Sequence, residues 1–224
     1  MVTRREWTLI ATTVSGTVCL IAARMVHTEH LSYAFVLWNV FLAALPWGFA
    51  LLAERAISRR KTVSCILWSA AWLLFFPNAP YLLTDLVHMP DANASLWWYD
   101  LLILVGGMVA GLSLGWFSWT RVREILSAMT SPRMSTFASY TLLYACAFGM
   151  YLGRFSRWNS WDVVQDPTTL FVDIADRFMS PCAHPRTWAF TFIVGTILSV
   201  AAWLASDRRP WRHSTPDPLQ REAI

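Results

Sequence analysis

The chain has 224 residues, of which 56% are hydrophobic and 14% charged, and it carries a net charge of +4. A soluble domain is usually about a quarter charged, so a water-soluble globule is excluded and a lipid bilayer is the expected solvent. No polar stretch is long enough to carry a basic reading surface, which argues against nucleic acid as a partner.

Six apolar runs follow one another, at about 8–26, 32–53, 63–78, 100–119, 136–153 and 187–205. A helix needs roughly 20 residues to cross a hydrocarbon core of ~30 Å, so the expectation is an all-α, polytopic transmembrane bundle of about six spans. It forms a single domain over 1–206, with a polar, flexible tail over 207–224.

The first run is rich in Thr, Ser and Gly and has no clear cleavage site, so it is kept as a span. The second holds Asn39, expected to bond a neighbouring helix. The third breaks at Pro77 and Pro80, which remove backbone donors. It either ends there or continues as a discontinuous segment, which at membrane depth needs cover by protein or a cavity. Gly107, Gly111 and Gly115 recur at four-residue spacing in the fourth run, and Ala145, Gly149 and Gly153 in the fifth. Such stripes let helix backbones approach closely, and the short loop between the two runs predicts an antiparallel hairpin.

Basic residues set the orientation. With both termini inside, the cytoplasmic segments hold Arg4, Arg5, Arg55, Arg59, Arg60, Lys61, Arg121, Arg123, Arg133, Arg208, Arg209, Arg212 and Arg221. Arg24, Arg154, Arg157, Arg177 and Arg186 are left outside, and this bias favours N-in, C-in. In the last outer segment Asp166-Pro167 predicts an N-cap and first helical position. Leu170, Phe171, Ile174 and Phe178 then share a face, as in a short amphipathic helix on the outer interface.

Two outer stretches concentrate the polar chemistry. One is Phe76-Pro77-Asn78-Ala79-Pro80-Tyr81 with Thr84, Asp85 and His88, followed by Trp97-Trp98-Tyr99-Asp100. The other is Gly153-Arg154-Phe155 with Arg157-Trp158-Asn159-Ser160-Trp161-Asp162. Asp85, His88, Asp100 and Asp162 are candidate acid–base residues. Asn78, Tyr81, Thr84, Arg154, Arg157 and Asn159 are candidate binding groups, the arginines suiting phosphate or carboxylate. Asp85 and His88, three apart, share a helix face and are candidate metal ligands, although a ferritin-like di-metal site needs two such pairs. The structural alternative is that Asp85, Asp100 and Asp162 simply pair with Arg154 and Arg157, because charges near the bilayer are costly alone.

These stretches resemble the bacterial membrane-protein family known as domain of unknown function DUF1361, over nearly the whole chain before Asp207. The resemblance implies a multi-span protein of the bacterial cytoplasmic membrane and carries no activity or cofactor with it. Three functions stay open: a structural, accessory or binding component; an enzyme acting at the outer face on a lipid or envelope precursor; and a small transporter, for which a discontinuous helix is the usual pointer. Protein partners are not indicated. A polar cavity open to the outer leaflet would favour the enzyme, and carboxylates capped by arginine without a cavity the structural role.

Overall fold

The computed structural model describes residues 2–28, 33–91 and 96–206, and within them every side chain but those at 87–91. Glu29, His30, the His88 side chain and the tail 207–224 fall outside these residues. The described chain is all helical: α1 (Arg4–Thr28), α2 (Ala34–Ser58), α3 (Thr62–Phe75), α4 (Asn78–Tyr81) running into a 3-10 stretch (Leu82–Asp91), α5 (Trp97–Met129), α6 (Pro132–Arg154), α7 (Asp162–Gln165), α8 (Pro167–Met179) and α9 (Pro185–Ser206). Arg4–Thr28, Ala34–Ser58, Thr62–Leu86, Trp97–Met129 and Pro185–Ser206 are long and apolar enough to cross a membrane. The apolar helices suit a lipid bilayer environment and a polytopic bundle.

α6 departs from the six-run expectation. It has 23 residues yet is not apolar enough to count with those five, because it carries Ser135, Thr136, Ser139, Tyr140, Thr141, Tyr144 and Tyr151. Two of these side chains reach its neighbours, Ser135 to the Arg123 carbonyl of α5 and Tyr144 to α9, and a backbone carbonyl adds a third tie. The Ser139 carbonyl accepts from Trp119 Nε1 at 3.0 Å, and Tyr144 Oη lies 3.2 Å from Thr196 Oγ1.

Local signals explain the helix ends. Thr3 and Glu6 form a reciprocal capping box on α1, with Glu6 N–H donating to Thr3 Oγ1 at 3.2 Å and Thr3 N–H to Glu6 Oε2 at 3.4 Å. In α1, Thr8, Thr12 and Thr17 return their hydroxyls to carbonyls one turn back, at 2.7 to 2.9 Å, so a Thr-rich helix presents no orphaned donors to lipid. Ser131 caps α6 and Asp166 caps α8, each followed by proline in the first helical turn.

α1 packs on α5, α2 on both α3 and α5, and α9 on α6. The broken segment wedges between α5 and α6, and both glycine stripes receive it. A Cβ at Gly111 would stand 2.5 Å from the Ala79 carbonyl and one at Gly115 3.1 Å from Ala79 Cβ, whereas one at Gly107 would crowd Val36 of α2 at 2.7 Å; a Cβ at Gly149 would stand 2.5 Å from the Pro77 ring. The stripes therefore serve the discontinuous segment, and Gly107 also admits α2.

Candidate functional site

The break leaves carbonyls without helical partners. Pro77 and Pro80 have no N–H to give, and the Ala79 N–H bonds Phe76 O rather than Phe75 O. Side chains make up the deficit: Asn78 Nδ2 donates to Phe75 O at 2.9 Å, and Ser160 Oγ donates to Leu74 O at 3.0 Å. Asn78 Nδ2 also reaches Ser160 Oγ at 3.0 Å. The two polar stretches, some eighty residues apart, are thus tied together by the need to satisfy a broken helix end.

Chain reversal after α6 makes this meeting possible. Arg157 adopts φ 61°, in the left-handed region, which lets Trp158 N–H return to Leu152 O at 3.1 Å. That conformation costs a non-glycine residue on the order of 1–2 kcal/mol. Arg157 itself is exposed and has no hydrogen bond or ion pair among the described residues. Asp162 closes the turn by accepting from Asn159 N at 2.6 Å and Asn159 Nδ2 at 3.4 Å.

Between α2, α4, the end of α6 and this loop lies a cleft of about 250 Å³. Its polar lining is Asn39, Asn78, Tyr81, Asn159 and Ser160, and Trp38, Trp158 and Trp161 wall it. Behind it sits Asp85, only 2% exposed, which accepts from Asn39 Nδ2 at 2.8 Å and has Arg154 Nη1 at 3.9 Å. Arg154 is oriented by the Tyr81 hydroxyl and the Thr84 carbonyl, both at 3.3 Å, and by the Tyr81 ring face at 5.7 Å. Asn78, Tyr81, Thr84, Asp85, Arg154 and Asn159 accordingly gather around one space.

Asp100 does not join them, and Asp162 reaches only the rim, through Asn159, with no arginine partner among the described residues. Asp100, fully buried, is held by Arg24 Nε at 2.7 Å and Nη2 at 3.3 Å. The carboxylate–arginine pairing expected at the outer end is therefore real for Asp85 with Arg154, falls to Arg24 for Asp100, and does not involve Arg157. No group of three His, Cys, Asp or Glu side chains suited to a metal occurs among the described residues, and the His88 side chain lies outside them.

Asn39 is the cleft residue with a role the sequence left general, its partner unnamed there. The α8 helix also differs in detail: Leu170 and Ile174 face the cleft, while Asp173 and Arg177 turn inward onto the loop after α6. Arg177 is buried, bonds the Asp173 carboxylate and Ser156 Oγ (2.9 Å), and stands over the Tyr151 ring; Trp158 Nε1 donates to Asp173 Oδ2 at 2.7 Å. Phe171, Val172, Phe178 and Met179 are left exposed on the outside of the helix.

Residues 38–201 match the family model described as "Protein of unknown function (DUF1361)". The chain belongs to this family. The matched span begins at Trp38, on the cleft wall, and takes in all the cleft residues named above. Neither the curated proteins nor the solved structures include a match.

Proposed function

We propose that this family member is a multi-pass protein of the bacterial cytoplasmic membrane, six-spanning with both termini inside, that acts as a binding component rather than a catalyst. Its outer-end cleft would hold the polar headgroup of a lipid or lipid-linked envelope precursor. The observation that carries this reading is the cleft lining: amides, the Ser160 hydroxyl and a phenol between indole walls, groups that donate and accept hydrogen bonds and stack, with the Ser160 proton committed to the Leu74 carbonyl and no basic side chain in the lining to activate it. The carboxylates nearby are engaged in holding helices together, Asp100 by Arg24 and Asp85 by Asn39. The exposed apolar face of α8 suits a helix lying in the outer interface beside such a headgroup.

The test is an untargeted mass-spectrometric profile of lipids that stay with the purified chain. Wild type should retain one headgroup class that Asn159→Leu, altered at the exposed rim, and Asn39→Leu both lose. Identical lipids on all three proteins would refute the reading. If the retained lipids are unchanged, yet a strain carrying Asp85→Asn accumulates the same precursor as a deletion strain, the outer-face enzyme is the better account.

A further inference from the structure

A second space, also of about 250 Å³, lies on the far side of the broken segment and is apolar. It runs between α5 and α9, with Leu112, Trp116 and Trp119 on one wall and Leu198, Ala201 and Ala205 on the other. The two helices run in the same direction here, since both are antiparallel to α6: Tyr144 meets Thr196, and Tyr151 meets Phe190. The alanines, with Gly115, keep the walls apart. Along each helix the slot runs over eight residues, Leu112 to Trp119 and Leu198 to Ala205, roughly 10 Å of rise.

One turn beyond Trp119 the slot ends at a cation. The Arg123 guanidinium stands 5.5 Å over the Trp119 ring and donates from one Nη to Ser206 Oγ at 3.0 Å. Arg123 is half-buried and has no carboxylate partner among the described residues, so most of its five N–H donors remain for another acceptor. An apolar slot between spanning helices, terminated at the membrane surface by a stacked and aimed guanidinium, matches an amphiphile with an aliphatic chain and an anionic head.

We propose that this slot holds one acyl chain of an anionic phospholipid from the leaflet on the Arg123 side, with Arg123 and the Ser206 hydroxyl on its phosphate. The site is independent of the outer cleft, so the two readings can fail separately. The full chain would be reconstituted in phosphatidylcholine nanodiscs containing a minority of phosphatidylglycerol, extracted in detergent, and weighed by native mass spectrometry. Wild type should keep a single phosphatidylglycerol. Arg123→Gln should lower its retention about tenfold, the worth of one charge-assisted contact. Ala201→Trp, which fills the slot from an exposed position, should abolish retention, and the gentler Ala205→Leu should weaken it. Arg133→Gln, an exposed cation on the same side, and the cleft variant Asn159→Leu should leave it unchanged. Undiminished retention in Arg123→Gln and in the filled variants overturns the proposal. So does an equal loss in Arg133→Gln, which would mean diffuse surface attraction.

Discussion

The seam between α1 and α5 and the cleft beside α4 use the same chemistry to opposite ends. At the seam every charge is answered by a full opposite charge. Arg24 forks onto Asp100 at one end, and at the other Arg121 reaches both Glu6 oxygens at 2.7 and 2.8 Å and also pairs with Glu54. Trp47 Nε1 completes that cluster on Glu6 at 2.9 Å. Between the clamps α1 rises ~27 Å and α5 ~32 Å, close to the hydrocarbon thickness, so the pairs lock two antiparallel helices at both ends of a span-length stretch. At the cleft, Asp85 accepts from the neutral Asn39 amide at 2.8 Å, and Arg154 stands 3.9 Å away. The seam's Glu6, Arg24, Asp100 and Arg121 are all buried; the cleft keeps open space bounded by groups with hydrogen-bonding capacity.

The largest effect should come from breaking the seam. Asp100→Ala leaves the Arg24 guanidinium buried without its counter-charge, at an expected cost of 3–5 kcal/mol, roughly. Thermal unfolding in detergent would register it. The paired change Arg24→Met with Asp100→Leu should recover most of the loss, since an apolar pair of similar volume avoids the buried charge. An Asp85→Asn protein should lose far less. Comparable losses at Asp85 and Asp100 would erase the distinction between the two regions.

Next comes the wedge that separates them. Gly111→Ala drives a methyl into the Ala79 carbonyl, a backbone atom that cannot rotate away, and should cost about 1–3 kcal/mol. Gly48→Ala, with nothing within 4 Å of the added carbon, should be neutral or gain up to about 1 kcal/mol by helix propensity. If both substitutions behave alike in the same unfolding assay, the close approach of the broken segment is not what holds α5.

Much of the fold was legible in the chain because bilayer thickness sets run length and proline sets breaks. The apolar runs, the interruption at Pro77 and Pro80, and the Asp166–Pro167 helix start are local consequences of residue type. Partners were less legible. A glycine stripe announces a face that something approaches, without saying what, and both stripes also take in the discontinuous segment. The α1–α5 clamps did leave a trace: Glu6 and Arg24 are 18 residues apart, about five helical turns, and so lie on one face. Their partners, Arg121 and Asp100, lie 115 and 76 residues downstream and carry no local signature. At the site the gathering of Asn78, Tyr81, Thr84, Asp85 and Arg154 followed the motif density. The separation of Asp100 from them, and the inward turn of Asp173 and Arg177, depend on which long side chains reach which helix.

The smallest expected effect is the sharpest probe of the cleft's purpose. Arg157 occupies a left-handed backbone position that glycine would fill with less strain, so Arg157→Gly should be neutral in unfolding or gain up to about 1 kcal/mol. A protein optimised only to hold its helices together has no use for a strained, exposed arginine there. If Arg157→Gly is at least as stable as wild type and yet releases the lipid class that the cleft retains, the side chain serves the ligand at the rim and the strain is tolerated for that purpose. If stability rises and retention is untouched, the turn is only a hinge of the fold, and recognition rests on the amides and indoles within.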